Sequence, residues 1–152
     1  MTTVAWGASF PPEWPRTRIK HVCRFVGGGT PDKGRPEYWN GDVPWVSPKD
    51  MKNGAVEDTE DHITPDGLDA SATKLVDPGA VLLVVRSGIL RHSIPVAINR
   101  VTVALNQDMR ALIPHPSIEP RYLARLIEGH QQELLNTWSK LGSTVESLES
   151  DL

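Results

Sequence analysis

Apolar residues run unbroken from Ala80 to Val85, a Val- and Leu-rich segment closed behind by the turn signal Asp77-Pro78-Gly79. A run of this length and composition predicts a strand buried on both faces. Val96–Ile98 and Val101–Leu105 predict two more strands, with Asn99-Arg100 as a turn between them, and Met109–Ile113 predicts another that ends at Pro114. Near the start, Ile19, Val22, Phe25 and Val26 do not alternate cleanly. Their β-branched content and the Gly27-Gly28-Gly29 stop predict a short strand. Val43–Ser47 reads as a strand interrupted by Pro44, hence an edge strand or a bulge. Thr64-Pro65-Asp66 supplies a cap, a proline at the first helical position and an acid in the first turn, so a short helix starts there. The period changes after Glu119. Tyr122, Leu123, Leu126, Ile127, Leu134, Leu135 and Trp138 fall at three- and four-residue spacings, which predicts a helix over 119–141, broken or bent at Gly129 and ended by Gly142.

Between these elements lie proline- and glycine-rich stretches. Residues 1–15 hold Pro11, Pro12 and Pro15 and predict an irregular lead-in, while 27–41 reads as one long loop of the kind that is functional or mobile. The expected class is α+β: several short strands, few helices, many Pro/Gly loops and one strong C-terminal helix. A chain of 152 residues with 39% hydrophobic and 23% charged residues is enough for one domain with a sizeable core.

Charge changes the picture more than composition does. The formal net charge of −3 is a poor match to a polyanion, but the charges are segregated. Arg16–Lys52 carries eight basic residues against four acids, Glu57–Asp77 carries seven acids against Lys74 alone, and Arg86–Arg110 is again basic. Met1–Phe10 lacks a basic start followed by an apolar run, so no signal peptide is expected, and no apolar stretch is long enough to span a bilayer. A lone Cys23 agrees with a reducing compartment, and the chain reads as cytoplasmic.

Most catalytic readings fail on residue type or spacing. No Gly-Lys-Ser/Thr ending follows the triple glycine, no dinucleotide fingerprint follows a strand, and no Asn-Pro-Pro-Tyr-like segment marks an amino-methyltransferase. The histidines (His21, His62, His92, His115, His130) are scattered, so no metal site and no resident cofactor are expected. Cys23 reads as a buried inert thiol, and Glu57/Asp58 with Glu60/Asp61 as a solvated acidic surface. Ser47-Pro48-Lys49-Asp50 offers a Lys-Asp pair that would suit a small magnesium-dependent nuclease, which stays open as an alternative.

Three segments in order carry a specific signal: Gly28-Gly29-Thr30-Pro31 followed by Pro36-Glu37-Tyr38-Trp39-Asn40-Gly41-Asp42-Val43-Pro44-Trp45-Val46-Ser47-Pro48-Lys49-Asp50-Met51, then Leu83–Ile98 with Arg86-Ser87-Gly88 at its turn, then Asn106-Gln107-Asp108 leading into Met109–Leu112. Together they resemble the target-recognition domain of type I restriction-modification specificity subunits, over about Trp14 to Val145. The resemblance implies a compact, mixed-sheet, partly barrel-like domain over 16–145 that binds duplex DNA and catalyses nothing. It further implies that residues 146–152 begin a helical spacer, and that each such domain reads one half of a split target. The partners would be methyltransferase subunits, a restriction subunit, and a second target-recognition domain or second copy. S-adenosylmethionine, ATP and magnesium would belong to those partner subunits. Because the chain stops where the family would continue, it is expected to be a fragment or a half-length subunit. A module that only docks the methyltransferase subunit is the main alternative.

Physical requirements then select the candidates for DNA contact. Phosphates call for Lys and Arg, and base edges for bidentate groups. Lys33 and Arg35 sit in the long loop, Lys49 and Lys52 follow the Trp45 strand, and Arg86, Ser87, Arg91 and His92 flank a turn after the buried strand. Asn106 and Gln107 have the chemistry to pair with adenine, unless they satisfy loop backbone instead, and Asp108 is suited either to accept from cytosine or to orient Arg86 or Arg91. Tyr38, Trp39 and Trp45 read as core or loop anchors rather than stacking platforms. Residues shared by proteins with different targets should be scaffold or phosphate contacts, so base readers are expected more outside these segments, in the loop 31–36 and in 52–75, although the acidity of 52–75 makes phosphate proximity awkward.

Overall fold

A computed structural model describes residues 10–138. Two mixed sheets form the frame. The elements in order are a helical turn α1 (Ile19–Val22), β1 (Cys23–Gly27), β2 (Trp39–Val46), β3 (Ala55–Val56), β4 (Asp61–Ile63), α2 (Pro65–Asp69), β5 (Val81–Val84), β6 (Val96–Asn99), β7 (Ala104–Leu105), β8 (Met109–Pro114), α3 (Pro120–Gly129) and α4 (Gln131–Trp138). The large sheet has the order β1-β8-β5-β6-β3 and the small one β4-β2-β7. Both sheets are open, so the α+β mixed-sheet expectation holds without closure into a barrel.

The Val81–Val84 run becomes the middle strand of the large sheet, and all of its residues are fully buried. Its side chains alternate between two cores. Val81 and Leu83 pack under Leu123, Ile127, Leu134 and Leu135 of α3 and α4, together with Leu90, Ile94 and Leu112. Leu82 and Val84 face Val46 and Leu105 of the small sheet, Met51, Val76 and Val103 of its connections, and Val56 of β3. The fold is therefore layered as helices, large sheet, small sheet.

Several local expectations hold for the reasons given. Thr64 Oγ1 accepts from Gly67 N at 3.1 Å with Pro65 in the first turn of α2. The Asp77-Pro78-Gly79 turn ends on Gly79 at φ 94°, a left-handed conformation that glycine adopts without strain. The C-terminal helix breaks after Gly129, where His130 caps α3. Gly142 and residues 146–152 lie outside the described residues, as does most of the lead-in.

Others are corrected. Ile19 and Val22 close a helical turn, and only Cys23–Gly27 is strand, because a three-residue spacing suits one turn of helix better than a pleat. β2 is the central strand of its sheet rather than an edge, although the expected bulge is present between Trp39 and Val43. Pro44 lies opposite His62 of β4, and on the other side β7 pairs only with Trp45 and Val46, so the missing N–H costs no bond to β7. Of Val101–Leu105, only Ala104 and Leu105 form strand, and Asn99 is buried at the end of β6 rather than exposed in a turn.

Candidate nucleic-acid interface

The pairing directions bring one set of strand ends together. Gly27 at the end of β1 lies opposite Arg110, Val84 at the end of β5 lies opposite Met109, and Leu83 lies opposite Val96 at the start of β6. Val46 at the end of β2 lies beside Leu105, and Asn106 N donates to Val46 O at 2.9 Å. One rim of the domain thus collects the loops that follow β1, β2, β5 and β7.

These loops are bonded to one another. Gly29 N donates to Leu105 O at 3.0 Å, and the Thr30 hydroxyl bonds the Gln107 side chain. Asp108 O accepts from Val85 N at 2.8 Å and from Arg86 N at 3.3 Å. The Asp108 carboxylate then takes the Arg86 Nε at 2.9 Å, so Asp108 orients Arg86, one of the two roles its position suggested. Gly28 passes so close to the 105–106 backbone that a Cβ there would overlap Asn106 O and Leu105 O. Glycine is required at Gly28 by this approach, not by its torsion angles.

Two indoles fix the long loop. Trp45 Nε1 donates to Gly29 O at 3.0 Å, and Trp39 Nε1 donates to Asp32 O at 3.1 Å. The two rings meet edge to face with centroids 5.1 Å apart. They are anchors, as their size suggested. Trp45→Phe keeps an aromatic ring but removes the pyrrole ring with its donor at a buried site, so it should destabilise the domain by about 2 kcal/mol in urea unfolding. An unchanged midpoint would show that the loop is held by other contacts.

The candidate residues separate into groups. Asn106 is buried, its Oδ1 accepting from Asp108 N at 2.9 Å, which makes it a turn former. Ser87 Oγ accepts from Ile89 N and starts the 3-10 turn Gly88–Arg91. Arg86, Arg91, His92, Gln107 and Lys52 are exposed on the rim or in the loop that leaves it. Lys33 and Arg35 are exposed beyond the Gly29 anchor, where Arg35 pairs with Glu37 at 3.3 Å and lies 5.7 Å from the centre of the Tyr38 ring.

Lys49 is different. Its ammonium meets Asp61 at 2.8 Å and Glu60 at 3.2 Å, and these carboxylates hold its pKa above the ordinary value. Asp50, the acid of the nuclease alternative, accepts from Ser47 N at 2.9 Å and Glu60 N at 2.9 Å, so both oxygens are engaged in backbone capping. Among the described residues, no group of three or more His, Cys, Asp or Glu side chains is placed to hold a metal ion.

Comparison with known proteins decides the family. The sequence profile of the "Type I restriction modification DNA specificity domain" matches residues 11–151. The chain belongs to this family. It is a DNA specificity domain, not a catalytic one. The domain is 40% identical over 139 residues to the specificity subunit of the Escherichia coli type I restriction enzyme EcoR124I/EcoR124II, an alignment covering 91% of this chain and 34% of that subunit. It is 31% identical over 121 residues to the Methanocaldococcus jannaschii MjaIX specificity subunit, covering 78% of this chain and 27% of the relative. The chain therefore spans about a third of the length of these relatives. Its fold matches the HsdS subunit from Thermoanaerobacter tengcongensis with a TM-score of 0.65 at 21% identity, over 93% of this chain and 34% of that one. A second solved structure, from work on complex assembly and conformational transition of the type I R-M system, matches with a TM-score of 0.68 at 21% identity, over 94% of this chain and 33% of that one.

Sequence reasoning missed one rim residue of this specificity domain. Ile89 is 41% exposed at the tip of the Gly88–Arg91 turn, whereas its neighbour Leu90 is buried. The Ile-Leu pair announces that one side chain anchors the turn but not which. Gln131 was missed as well. Its Oε1 accepts from Ile94 N at 2.5 Å, and its Nε2 donates to Ile94 O at 3.2 Å and to Ile127 O at 3.0 Å, tying α4 to the end of the Arg86–Ile94 loop. Gln131→Leu should cost about 2 kcal/mol in thermal unfolding by leaving the Ile94 amide unsatisfied. An unchanged midpoint would mean that the core contacts of Ile94 alone hold the loop.

Proposed function

We propose that this domain reads one half of a bipartite duplex DNA target through the rim just described. Phosphate contacts come from Arg86, Arg91, His92 and Lys52, base-edge readout from Gln107, and flanking contacts from Lys33 and Arg35. In this reading Asn106 and Ser87 serve to build the loops, and Lys49, which faces two carboxylates where Arg86 and Arg35 each face one, contributes least to phosphate contact. In the assembled system the other half-site belongs to a second recognition domain or a second copy. Methyltransferase and restriction subunits supply the chemistry, with S-adenosylmethionine, ATP and magnesium on their side, in the cytoplasm.

The observation that carries this reading is the convergence of the loops after β1, β5 and β7 on a single bonded rim bearing exposed cations. Phosphate contacts release counterions, so each cation that touches DNA contributes to the salt dependence of binding. Binding of the full chain to duplex DNA should weaken with salt. Arg86→Gln should reduce the slope of log affinity against log salt by about one, whereas Lys49→Gln should leave it unchanged. Equal slopes for Arg86→Gln and the wild type, or a loss confined to Lys49→Gln, would move the contact surface elsewhere on the domain.

A further inference from the structure

One apolar side chain stands exposed beside basic residues on a turn that is held at both ends. The Arg86–Ile94 loop is tied at its start by Asp108, whose carbonyl accepts from Arg86 N and from Val85 N just before it and whose carboxylate accepts from Arg86 Nε. Ser87 Oγ caps the turn, Ile89 O accepts from His92 N at 2.9 Å and Ser93 N at 3.1 Å, and Leu90 and Ile94 are 4% and 2% exposed in the helix-side core. Gln131 secures the far end. The Ile89 side chain takes no part in this framework. It stands 41% exposed, with exposed Arg86, Arg91 and His92 on the same turn.

We propose that Ile89 reads the 5-methyl group of a thymine in the major groove, a proposal that rests on the DNA-binding role of the rim. The thymine methyl is the one apolar feature a base edge offers there, and a branched aliphatic side chain is its natural complement. Arg86 and Arg91 would hold the backbone phosphates on either side. A preformed turn also spares the entropy of ordering a loop on binding. The residues that build the turn are Ser87, Gly88 and Leu90, so a change of specificity at Ile89 leaves the scaffold intact.

The test uses the full chain and the half-site recovered from a randomised duplex pool. Each thymine of that half-site is replaced in turn by deoxyuridine, which lacks the methyl group and keeps the hydrogen-bonding edge. At one position the wild type should bind about fourfold more weakly, the value of one buried methyl group. Ile89→Ala should bind the thymine and deoxyuridine duplexes alike, and Ile89→Val should keep part of the discrimination. Thermal unfolding of these exposed-site variants should match the wild type. A half-site without an A·T pair, insensitivity of the wild type at every thymine, or full sensitivity retained in Ile89→Ala each overturns the assignment while leaving the rim reading in place. Failure of the wild type to retain any duplex overturns both.

Discussion

Gly28→Ala should destabilise the domain by about 3 kcal/mol, the upper end of what overpacking one methyl group costs. The added Cβ would sit on Asn106 O and Leu105 O, and both are backbone atoms that no rotamer change can move aside. Relief requires the 28–29 strand exit to retreat from β7. That movement breaks the Gly29 N to Leu105 O bond and displaces the Trp45 indole from Gly29 O, so the rim loses its connection to β1 as well as stability. Gly27→Ala is the matched control one residue earlier. No atom lies within 4 Å of a Cβ there, so its effect should stay within about 0.5 kcal/mol. Urea unfolding of the pair measures the difference, and equal midpoints would refute the close approach as the reason for glycine in this motif.

A comparable loss is expected for Asn99→Ala. The side chain is 1% exposed, and its amide is satisfied on both ends. Oδ1 accepts from Ala80 N at 2.9 Å, while Nδ2 reaches Asp77 O at 2.8 Å, Val101 O at 3.0 Å and Val76 O at 3.2 Å. One side chain thus replaces the ladder where β5 begins and where the chain leaves β6 for β7. Removing it leaves the buried Ala80 amide without an acceptor and cuts the tie to Val101, at a cost of about 3 kcal/mol. For a domain of this size that corresponds to a fall in Tm of roughly 10 °C. Arg100 is exposed beside it, and Arg100→Ala should shift Tm by no more than about 2 °C. Similar shifts for the two would show that the Asn99 network is dispensable.

Asn99 also marks the limit of what sequence pattern reveals. The pair Asn99-Arg100 carries a turn signal because asparagine bonds local backbone readily. Here the bonds reach Val76, Asp77 and Ala80, about twenty residues back, and no periodicity encodes such a reach. Elements set by local chemistry were legible: the fully apolar Val81–Val84 strand, the Thr64 cap, the Gly79 turn and the break after Gly129. Elements set by partners were not. Whether Pro44 lies in an edge or a central strand depends on β7 pairing with β2 on the side away from β4, which no local pattern encodes.

The same division runs through the rim. The tryptophan anchors follow from residue type, since a buried indole N–H needs an acceptor. The role of Asp108 as the partner of Arg86 was one of two that its position allowed. That Lys49 is neutralised by Glu60 and Asp61 follows only from β2 pairing with β4, which brings the acidic segment against it. Asn106 and Gln107 are adjacent and chemically alike, yet the first is buried in the turn and the second is exposed and bonded to Thr30.

Whether this rim selects a DNA sequence is answered by selection from a randomised duplex pool. The full chain is incubated with the pool at several salt concentrations, and the retained DNA is sequenced. One short half-site should be enriched, with retention falling as salt rises and with Gly28→Ala losing the enrichment. Retention that is absent at low salt, or present without any enriched sequence, would contradict selection by the rim.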